Sequence, residues 1–312
     1  MLPNTLVIGL SYGDEGKGKI ANVLMEGMKG CVRYAGGNNA GHTVYVEGKK
    51  YILHHLPSAI AKKKPVYLEP GMVIHPISLA EEATGFNPAL INISEKVHII
   101  TDKHRKLDSK GSGIGTTRKG VGPCYADKAY RSGFRMGDIK EQFPFFNFYD
   151  YKTFDSGYLF EGAQGVMLDV DYGHYPYVTS SSVFPSTRYK IDKVVGVTKA
   201  YVTRVGNGPP NSEEVPGLRE AGHEYGSTTG RPRRCHWLDL DELSYSCRLA
   251  RCDEIAVTKL DVLKKFGTYK YILNGKIREA KSIYEFVDIL RAVYPIKYLS
   301  WSPGDEIEIL KS

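Results

Sequence analysis

The opening of the chain constrains the fold most strongly, because a buried strand, a glycine-rich turn and a helix are predicted in direct succession. Thr5–Leu10 is apolar and β-branched, the turn reads SYGDEGKG, and the helical stretch Lys19–Met28 is rich in Ala, Leu and Met. From Gly13 the turn follows the pattern G-x-x-x-x-G-K, the spacing of a phosphate-binding loop. Backbone N–H groups at such a helix start face an anion. The alternative is an ordinary glycine turn, and this motif alone does not exclude it.

One position departs from the phosphate-loop pattern. Ile20 stands where Ser or Thr would supply the magnesium-binding hydroxyl. A generic GTPase switch is therefore disfavoured, and Asp14 becomes the candidate magnesium ligand or base. The other candidates for contacts to a triphosphate in this loop are Gly13, Glu15, Gly16, Lys17, Gly18 and Lys19.

The rest of the sequence predicts an α/β fold with a mostly parallel, twisted central sheet, flanked by helices and related to P-loop NTPases. We expect one domain over residues 1–312, with a compact aromatic connection at 139–156. Further strands are predicted at Cys31–Tyr34, Val97–Ile100, Tyr158–Phe160, Lys193–Thr198, Glu254–Thr258 and Thr268–Leu273, and a second helix at Leu238–Arg251. Glycine clusters follow several of these elements, which favours a site built from long loops at strand ends.

Composition narrows the class of protein. The 312 residues carry a net charge of +7, which suits nucleotide ligands. No RNA-binding aromatic motif accompanies the basic residues, so we expect no nucleic-acid partner. Five cysteines, without a C-x-x-C pair, argue against a disulfide scaffold or a zinc ribbon. No apolar run is long enough for a membrane span, and we expect a cytoplasmic protein.

A second glycine-rich loop adds a candidate acid. Gly36–Thr43 reads GGNNAGHT and follows a predicted strand. By itself, His42 is best interpreted as a structural histidine. Beside a phosphate loop, a histidine that donates to a transferring phosphate becomes competitive.

Together these motifs resemble the adenylosuccinate synthetase family. The resemblance begins with GDEGKGKI and NNAGHT and continues in the same order over most of the chain. The further stretches are GIGTTRKGVGPCYADKAYRSGFRMGD (113–138), LFEGAQGVMLDVDYGHYPYVTSSS (159–182), TRVGNGP (203–209), EYGSTTGRPRRCHWLD (224–239) and TKLDVL (258–263).

The resemblance implies a two-step ligase reaction. A base removes the N1 proton of a 6-oxopurine nucleotide, and the 6-oxygen attacks the γ-phosphate of a nucleoside triphosphate. The amine of L-aspartate then displaces that phosphate at C6. The implied cofactor is Mg²⁺, with Asp14 and the Gly41 carbonyl near it.

The resemblance also assigns roles to residues. The implied catalytic residues are Asp14, His42 and Gln164. The acceptor nucleotide would be held by Asn39, Thr117, Arg131, Gln164, Thr179, Val205 and Arg231, with Arg131 reaching across a homodimer interface. Further triphosphate contacts would come from Gly41, His42, Thr43, Lys259 and Asp261. L-aspartate would bind Ser227, Thr228, Thr229, Arg231 and Arg233.

The sequence departs from the family pattern at several places, so it does not identify the acceptor and donor nucleotides. The chain is shorter than familiar members, as in the compact archaeal and phage branches, which would place a phage-encoded enzyme in the host cytoplasm. Retained Asp14 favours IMP, whereas the short length and altered loops favour the dGMP-using phage type. Ser300–Gly304 replaces a segment that helps to close the donor-base pocket, so GTP, ATP and dATP stay open. A catalytically silent purine-nucleotide-binding module is the alternative from another class.

Overall fold

The fold is built on a ten-stranded sheet. The computed structural model describes residues 1–111, 114–210, 212–226 and 230–311. Their strands are β1 Thr5–Gly9, β2 Gly30–Arg33, β3 His42–Val46, β4 Lys49–Leu53, β5 Val66–Leu68, β6 Val73–Ile74, β7 Ile91–Ser94, β8 His98–Ile99, β9 Asn147–Tyr149, β10 Tyr158–Gly165, β11 Lys193–Lys199, β12 Tyr201–Arg204, β13 Arg234–Asp239, β14 Glu254–Thr258, β15 Lys270–Leu273, β16 Lys276–Glu279, β17 Ile296–Leu299 and β18 Glu308–Ile309.

Helices connect these strands. The α-helices are α1 Lys17–Leu24, α2 Pro76–Ala83, α3 Asp102–Ser109, α4 Val121–Tyr130, α5 Leu218–Gly222, α6 Leu240–Ala250, α7 Leu260–Phe266 and α8 Ile283–Val293. The predicted first helix therefore begins two residues earlier than expected and ends four residues earlier. The predicted helix at 238–251 is α6, which begins after Asp239 because that carboxylate caps the N–H groups of Asp241 and Glu242.

The large sheet has the order β18-β17-β14-β11-β1-β10-β2-β5-β7-β9. Every neighbouring pair is parallel except β17 and β18 at one edge. The predicted mostly parallel α/β fold is confirmed. The connection at 139–156 contributes β9, an edge strand that the sequence did not predict.

Both faces of the sheet are buried. In β1, Leu6 and Ile8 pack into one hydrophobic cluster and Val7 into another, because successive side chains point to opposite faces. The first cluster includes residues of α6, α7 and α8, and the second includes residues of α1 and α2. Helices on both faces of a parallel sheet give the doubly wound architecture. No helix among the described residues is long and apolar enough to cross a membrane.

A smaller sheet lies beside the large one, in the order β12-β13-β15-β16. It follows β11 directly, since only Ala200 separates β11 from β12. Its second strand, β13, begins at Arg234, immediately after Arg233. This sheet therefore brings the predicted aspartate-binding arginines back towards the carboxyl end of the large sheet.

Candidate functional site

Six neighbouring parallel strands have their carboxyl ends on the same side of the large sheet, in the order β17-β14-β11-β1-β10-β2. Ligands of open α/β sheets bind in the crevice outside the carboxyl ends of the strands. The residues at these ends, or in the loops that follow them, are Ser300 for β17, Lys259 for β14, Lys199 for β11, Asp14 for β1, Gln164 for β10 and Asn39 for β2. The topology thus brings together residues that are far apart in the sequence.

Glu15 holds the loop after β1 in shape. Its buried carboxylate accepts hydrogen bonds from the backbone N–H groups of Ser11 (3.2 Å) and Gly13 (2.8 Å) and from Lys17 Nζ (2.7 Å). Its carbonyl accepts from Thr258 Oγ1 at 2.7 Å, which ties the loop to the end of β14. The side chain of Glu15 is therefore engaged in hydrogen bonds within the loop and does not face a ligand.

The loop after β1 meets the strand that carries His42. Gly16 precedes α1 in the left-handed conformation, with φ 89°, which favours glycine. A methyl group on Gly18 would lie 2.8 Å from Val44 Cγ1 and 3.6 Å from His42 Cδ2. Strand β3 therefore packs directly on the first turn of α1. This contact places the imidazole of His42 beside the predicted phosphate loop.

A buried glutamate lies behind His42. His42 Nε2 is 3.1 Å from the carbonyl oxygen of Leu56 and 3.5 Å from Glu161 Oε1. The other oxygen of Glu161 accepts from the backbone N–H and the hydroxyl of Ser58. Burial lowers the pKa of His42, while the charge of Glu161 acts in the opposite direction. Since a carbonyl only accepts, Nε2 carries the hydrogen that it donates to Leu56, and in the neutral ring Nδ1 is the basic nitrogen.

Asp14 faces an arginine from the other side of the site. Asp14 adopts a left-handed backbone conformation with φ 62°, and its Oδ2 lies 2.9 Å from Arg233 Nε. A third of the Asp14 side chain (34%) remains exposed, whereas Arg233 is largely buried. The second anchor of Arg233 is Glu224, whose Oε2 accepts from Nη1 at 2.7 Å. The structure thus joins the predicted base to the predicted aspartate-binding loop.

Glu224 is the centre of a buried charged group, which we call the Glu224 cluster: Glu224, Lys199, Tyr201, Arg233 and Lys259. Lys199 Nζ lies 3.0 Å from both carboxylate oxygens, and the hydroxyl of Tyr201 donates at 2.7 Å. Lys259 Nζ lies 3.7 Å away. Burial alone would raise the pKa of Glu224, but the charges of Lys199 and Lys259, the Tyr201 hydroxyl and Arg233 lower it to about 2. The carboxylate is therefore ionised at neutral pH.

Gln164 and Asn39 meet where β10 and β2 end. Gln164 Nε2 donates to Asn39 Oδ1 at 3.3 Å, and the same oxygen accepts from the backbone N–H of Gly37. Gln164 Oε1 is buried and has no hydrogen-bond donor within the described part of the chain. A buried amide oxygen without a donor costs free energy, so this oxygen is suited to a donor on a bound ligand. The backbone N–H of Thr179 donates to the carbonyl of Leu168.

The remaining predicted nucleotide contacts lie nearer the surface. Thr117 and Arg231 are exposed, and Val205 is 40% exposed. Arg131 follows α4 in a left-handed conformation with φ 68° and is exposed. Within the described residues it forms no ion pair with the site of its own chain. Ser227, Thr228 and Thr229 lie outside the described residues.

A pocket of about 680 Å³ lies beside the predicted phosphate loop. Lys19, in the first turn of α1, donates to Ser300 Oγ at 2.7 Å and to the carbonyl of Ser302 at 2.8 Å. This links the loop to the segment that carries Trp301. The pocket is lined by Asp261, Lys264, Lys265, Tyr284, Trp301 and Glu308.

The walls of this pocket combine aromatic rings with carboxylates. Trp301 Nε1 donates to Glu308 Oε2 at 2.6 Å, and the ring centres of Tyr284 and Trp301 are 6.1 Å apart. Lys259, predicted to bind the same ligand, points elsewhere: its Nζ donates to the carbonyl of Gly222 at 3.1 Å. The geometry suits a planar base that stacks on an indole and donates hydrogen bonds to Asp261.

Sequence reasoning missed three site residues: Glu161, Lys199 and Glu224. Trp301 lies in segment 300–304, which the resemblance already implied for the donor-base pocket. Glu161 gives a signal that could have been used, because an acid inside the apolar strand YLFEGA must be buried with a partner. Glu224 and Lys199 give none, since they are 25 positions apart and meet only in the folded chain.

Comparison with known proteins identifies relatives over nearly the whole chain. The sequence model of the family described as adenylosuccinate synthetase matches residues 6–156 and 149–297. The adenylosuccinate synthetase of Hydrogenobaculum sp. is 43% identical and aligns with 85% of this chain and 80% of its own length. That of Halothermothrix orenii is 39% identical, over 94% and 86% of the two chains.

Solved structures share the fold. The fully ligated adenylosuccinate synthetase from Plasmodium falciparum superposes with a TM-score of 0.84 at 30% identity, covering 99% of this chain and 100% of that one. The succinoaminodeoxyadenylate synthetase of cyanophage S-2L, bound to dGMP and dATP, superposes with a TM-score of 0.83 at 24% identity, covering 100% and 97%. At that identity the second likeness concerns the fold alone.

Proposed function

The chain belongs to the adenylosuccinate synthetase family and is a ligase that joins L-aspartate to C6 of a 6-oxopurine nucleoside monophosphate; from this premise we propose that IMP is its acceptor and that Asp14 and His42 carry the chemistry. The observation that carries this proposal is that Asp14 and His42 both lie at the same predicted phosphate loop. Asp14 lies within the loop, and His42 packs on the first turn of the helix that follows it.

The first step makes the acceptor oxygen nucleophilic. Asp14 takes the N1 proton of IMP, and the electron pair of that bond passes through the ring to the 6-oxygen. This oxygen attacks the γ-phosphorus of the donor triphosphate, and the bond between the γ-phosphorus and the bridging oxygen breaks to release a nucleoside diphosphate. In its protonated form, which the charge of Glu161 favours, His42 would donate from Nδ1 to the transferring phosphoryl group and stabilise its negative charge, while Nε2 keeps its bond to Leu56.

The second step replaces phosphate with an amine. The nitrogen of L-aspartate attacks C6, the C6–O bond breaks with release of inorganic phosphate, and the nitrogen loses a proton. Phosphate leaves far more readily than hydroxide, which is why the first step precedes this one. The buried Oε1 of Gln164 lacks a donor within the described residues and would orient the acceptor. Arg231 and Arg233, with residues 227–229, would bind the carboxylates of L-aspartate.

The residues present suit a magnesium ion bound together with the triphosphate. No group of three acidic, histidine or cysteine side chains able to hold a metal occurs among the described residues. Mg²⁺ is commonly bound by one or two protein oxygens plus substrate phosphates, and the partly exposed carboxylate of Asp14 and the carbonyl of Gly41 fit that pattern. When bound, the ion would neutralise charge on the phosphates.

Two observations support IMP over dGMP. The relatives that share about two fifths of their residues with this chain are named adenylosuccinate synthetases. Asp14 is retained, and a third of its side chain remains exposed, so its carboxylate is accessible to a bound nucleotide. For the donor we propose GTP, because the carboxylate of Asp261 would accept from N1–H and the 2-amino group of guanine, which adenine lacks.

We propose a homodimer in which Arg131 serves the partner's site. Arg131 is exposed, and it lies between two exposed aromatic residues, Tyr130 (81%) and Phe134 (60%). Aromatic and arginine side chains of this kind are enriched at interface cores. The five free cysteines fit the cytoplasm as the compartment.

The deciding experiment offers IMP, GMP and dGMP in parallel, each with GTP, ATP and dATP, Mg²⁺ and L-aspartate, and identifies products by mass. We expect adenylosuccinate from IMP and GTP. Asp14→Asn should lower kcat by about 100-fold or more while IMP still binds in calorimetry. Nucleotide binding without product from any pair would favour the silent binding module. Near-normal turnover of Asp14→Asn would refute the role of that carboxylate.

A further inference from the structure

Arg233 is held by two carboxylates in different ways. Glu224 is almost completely buried, and its Oε2 accepts an aligned hydrogen bond from Nη1 at 2.7 Å. Asp14 is partly exposed, and although its Oδ2 lies 2.9 Å from Nε, the Nε–H has no aligned hydrogen-bond partner among the described residues. The contact to Glu224 is therefore the fixed one, and the contact to Asp14 is the one that can be exchanged.

The geometry of the guanidinium group explains how Arg233 can exchange one carboxylate while it keeps the other. Nε and Nη2 share one edge of the planar group and present two parallel N–H donors, which match the two oxygens of a carboxylate. Since Nη1 is engaged by Glu224, the edge that carries Nε faces Asp14. A carboxylate of an incoming ligand can take this edge from Asp14 without disturbing the bond to Glu224.

Glu224 is itself held in one position. Lys199 contacts both of its oxygens at 3.0 Å, and the hydroxyl of Tyr201 donates at 2.7 Å. These partners come from β11 and β12, which belong to different sheets. The backbone N–H of Arg233 also donates to the carbonyl of Glu224 at 3.0 Å. Arg233 is therefore fixed to the two sheets at both its backbone and its side chain.

We propose that Glu224 is a positioning residue. It anchors Arg233 through Nη1, so that the edge formed by Nε and Nη2 can leave Asp14 and bind a carboxylate of the substrate L-aspartate. Binding of the amino acid then removes the cation from Asp14. Occupation of the aspartate site and release of the base become one event. This inference rests on the proposed function, because it needs Arg233 to bind L-aspartate and Asp14 to act on the acceptor.

The test compares Glu224→Gln with a matched control. Glutamine keeps the size of the side chain but loses the charge and one acceptor. The control is Glu69→Gln: Glu69 is also fully buried and is bound by an arginine, Arg188, and by two tyrosine hydroxyls outside the predicted site. Both variants lose a buried ion pair, so both should melt at lower temperature than the wild type.

We expect Glu224→Gln to raise the KM for L-aspartate at least about 10-fold, because the guanidinium group of Arg233 loses a charge-assisted hydrogen bond that positions it. The KM for IMP should change less than about 3-fold. Glu69→Gln should leave both constants unchanged, because lost stability lowers the active fraction and not the affinity of the folded enzyme. Glu224→Asp keeps the charge and should give an intermediate KM for L-aspartate, even where the glutamine variant does not fold.

A KM for L-aspartate within about 2-fold of the wild type in the folded Glu224 variants would overturn the inference. An equal rise in Glu69→Gln would also overturn it. Calorimetric titration of L-aspartate into enzyme saturated with IMP gives the same comparison without turnover. Failure of the proposed function is a separate result: the wild type itself would then yield no succinylated product from any acceptor.

Discussion

Replacing Gly18 with alanine tests whether His42 takes part in the reaction through its contact with the phosphate loop. Gly18 lies in the first turn of α1, and its added methyl group would be 2.8 Å from Val44 Cγ1. Carbon atoms in contact are about 3.5–4.0 Å apart, so β3 must move away by about 0.7 Å or more. His42, at the start of that strand, moves with it.

The expected cost in stability is small. Alanine is favoured over glycine inside a helix by about 1 kcal/mol, whereas overpacking a well-filled interior costs about 1–3 kcal/mol. The net loss is therefore roughly 0–2 kcal/mol, which corresponds to less than about 6 °C in melting temperature. The expected cost in rate is larger, because a misplacement of about 1 Å at a reacting centre lowers turnover about 100-fold. We expect kcat to fall about 10- to 100-fold.

The assay measures phosphate release with all three substrates and the melting temperature of the same preparation. The control is Gly85→Ala: a methyl group there meets no atom of the described residues within 4 Å, so stability and rate should stay at the wild-type values. If Gly18→Ala melts as expected but retains kcat within about 3-fold of wild type, the contact of β3 with α1 does not position a reacting group.

Three further predictions follow from other parts of the molecule. Mixed Arg131→Ala and Asp14→Asn subunits should regain up to about a quarter of the wild-type activity by forming hybrid dimers with one intact site; no recovery would refute a site shared between subunits. GTP should quench tryptophan fluorescence in Trp237→Phe but not in Trp301→Phe, since base–aromatic stacking requires the indole in the donor pocket; equal quenching in both would refute stacking on Trp301. Although burial favours its neutral form, the side chain of His55 and the backbone N–H groups of His54 and His55 lower the pKa of Glu82 to about 2, so its contribution to stability, roughly 3 kcal/mol, is present above about pH 4.5 and is lost towards pH 2; urea titrations should show a weaker acid dependence in Glu82→Gln.

Sequence reasoning succeeded where local pattern and tertiary contact agree. The predicted strand Glu254–Thr258 has the same bounds as β14. Four of its five residues are buried, and its centre, Ile255–Val257, is apolar. The predicted strand Tyr158–Phe160 is too short, since β10 continues to Gly165. Its second half, EGAQG, has poor strand propensity, and the ladder with β1 holds it extended.

The missing parts of the prediction depend on pairings between distant segments. β9 pairs with β7, more than fifty positions earlier, and a three-residue run inside an aromatic loop gives no sign of that partner. The smaller sheet was missed for the same reason, because β13 lies between β12 and β15 and each pairing closes a long loop. The assignment of residues 1–312 to one domain stays a prediction, as do the individual substrate contacts.

Three buried glutamates have the same relation to three candidate functional groups. Glu15 binds Lys17, Glu161 lies behind His42, and Glu224 anchors Arg233. Burying a carboxylate is costly unless a cation and hydrogen bonds compensate it. Glu15 and Glu224 have both, and Glu161 accepts hydrogen bonds from Ser58 and interacts electrostatically with the buried Arg33. Removal of one carboxylate leaves a buried cation without its partner, at about 3–5 kcal/mol. The arrangement therefore couples stability to function, because each group that would face the substrates is held by a buried carboxylate whose removal lowers the free energy of unfolding.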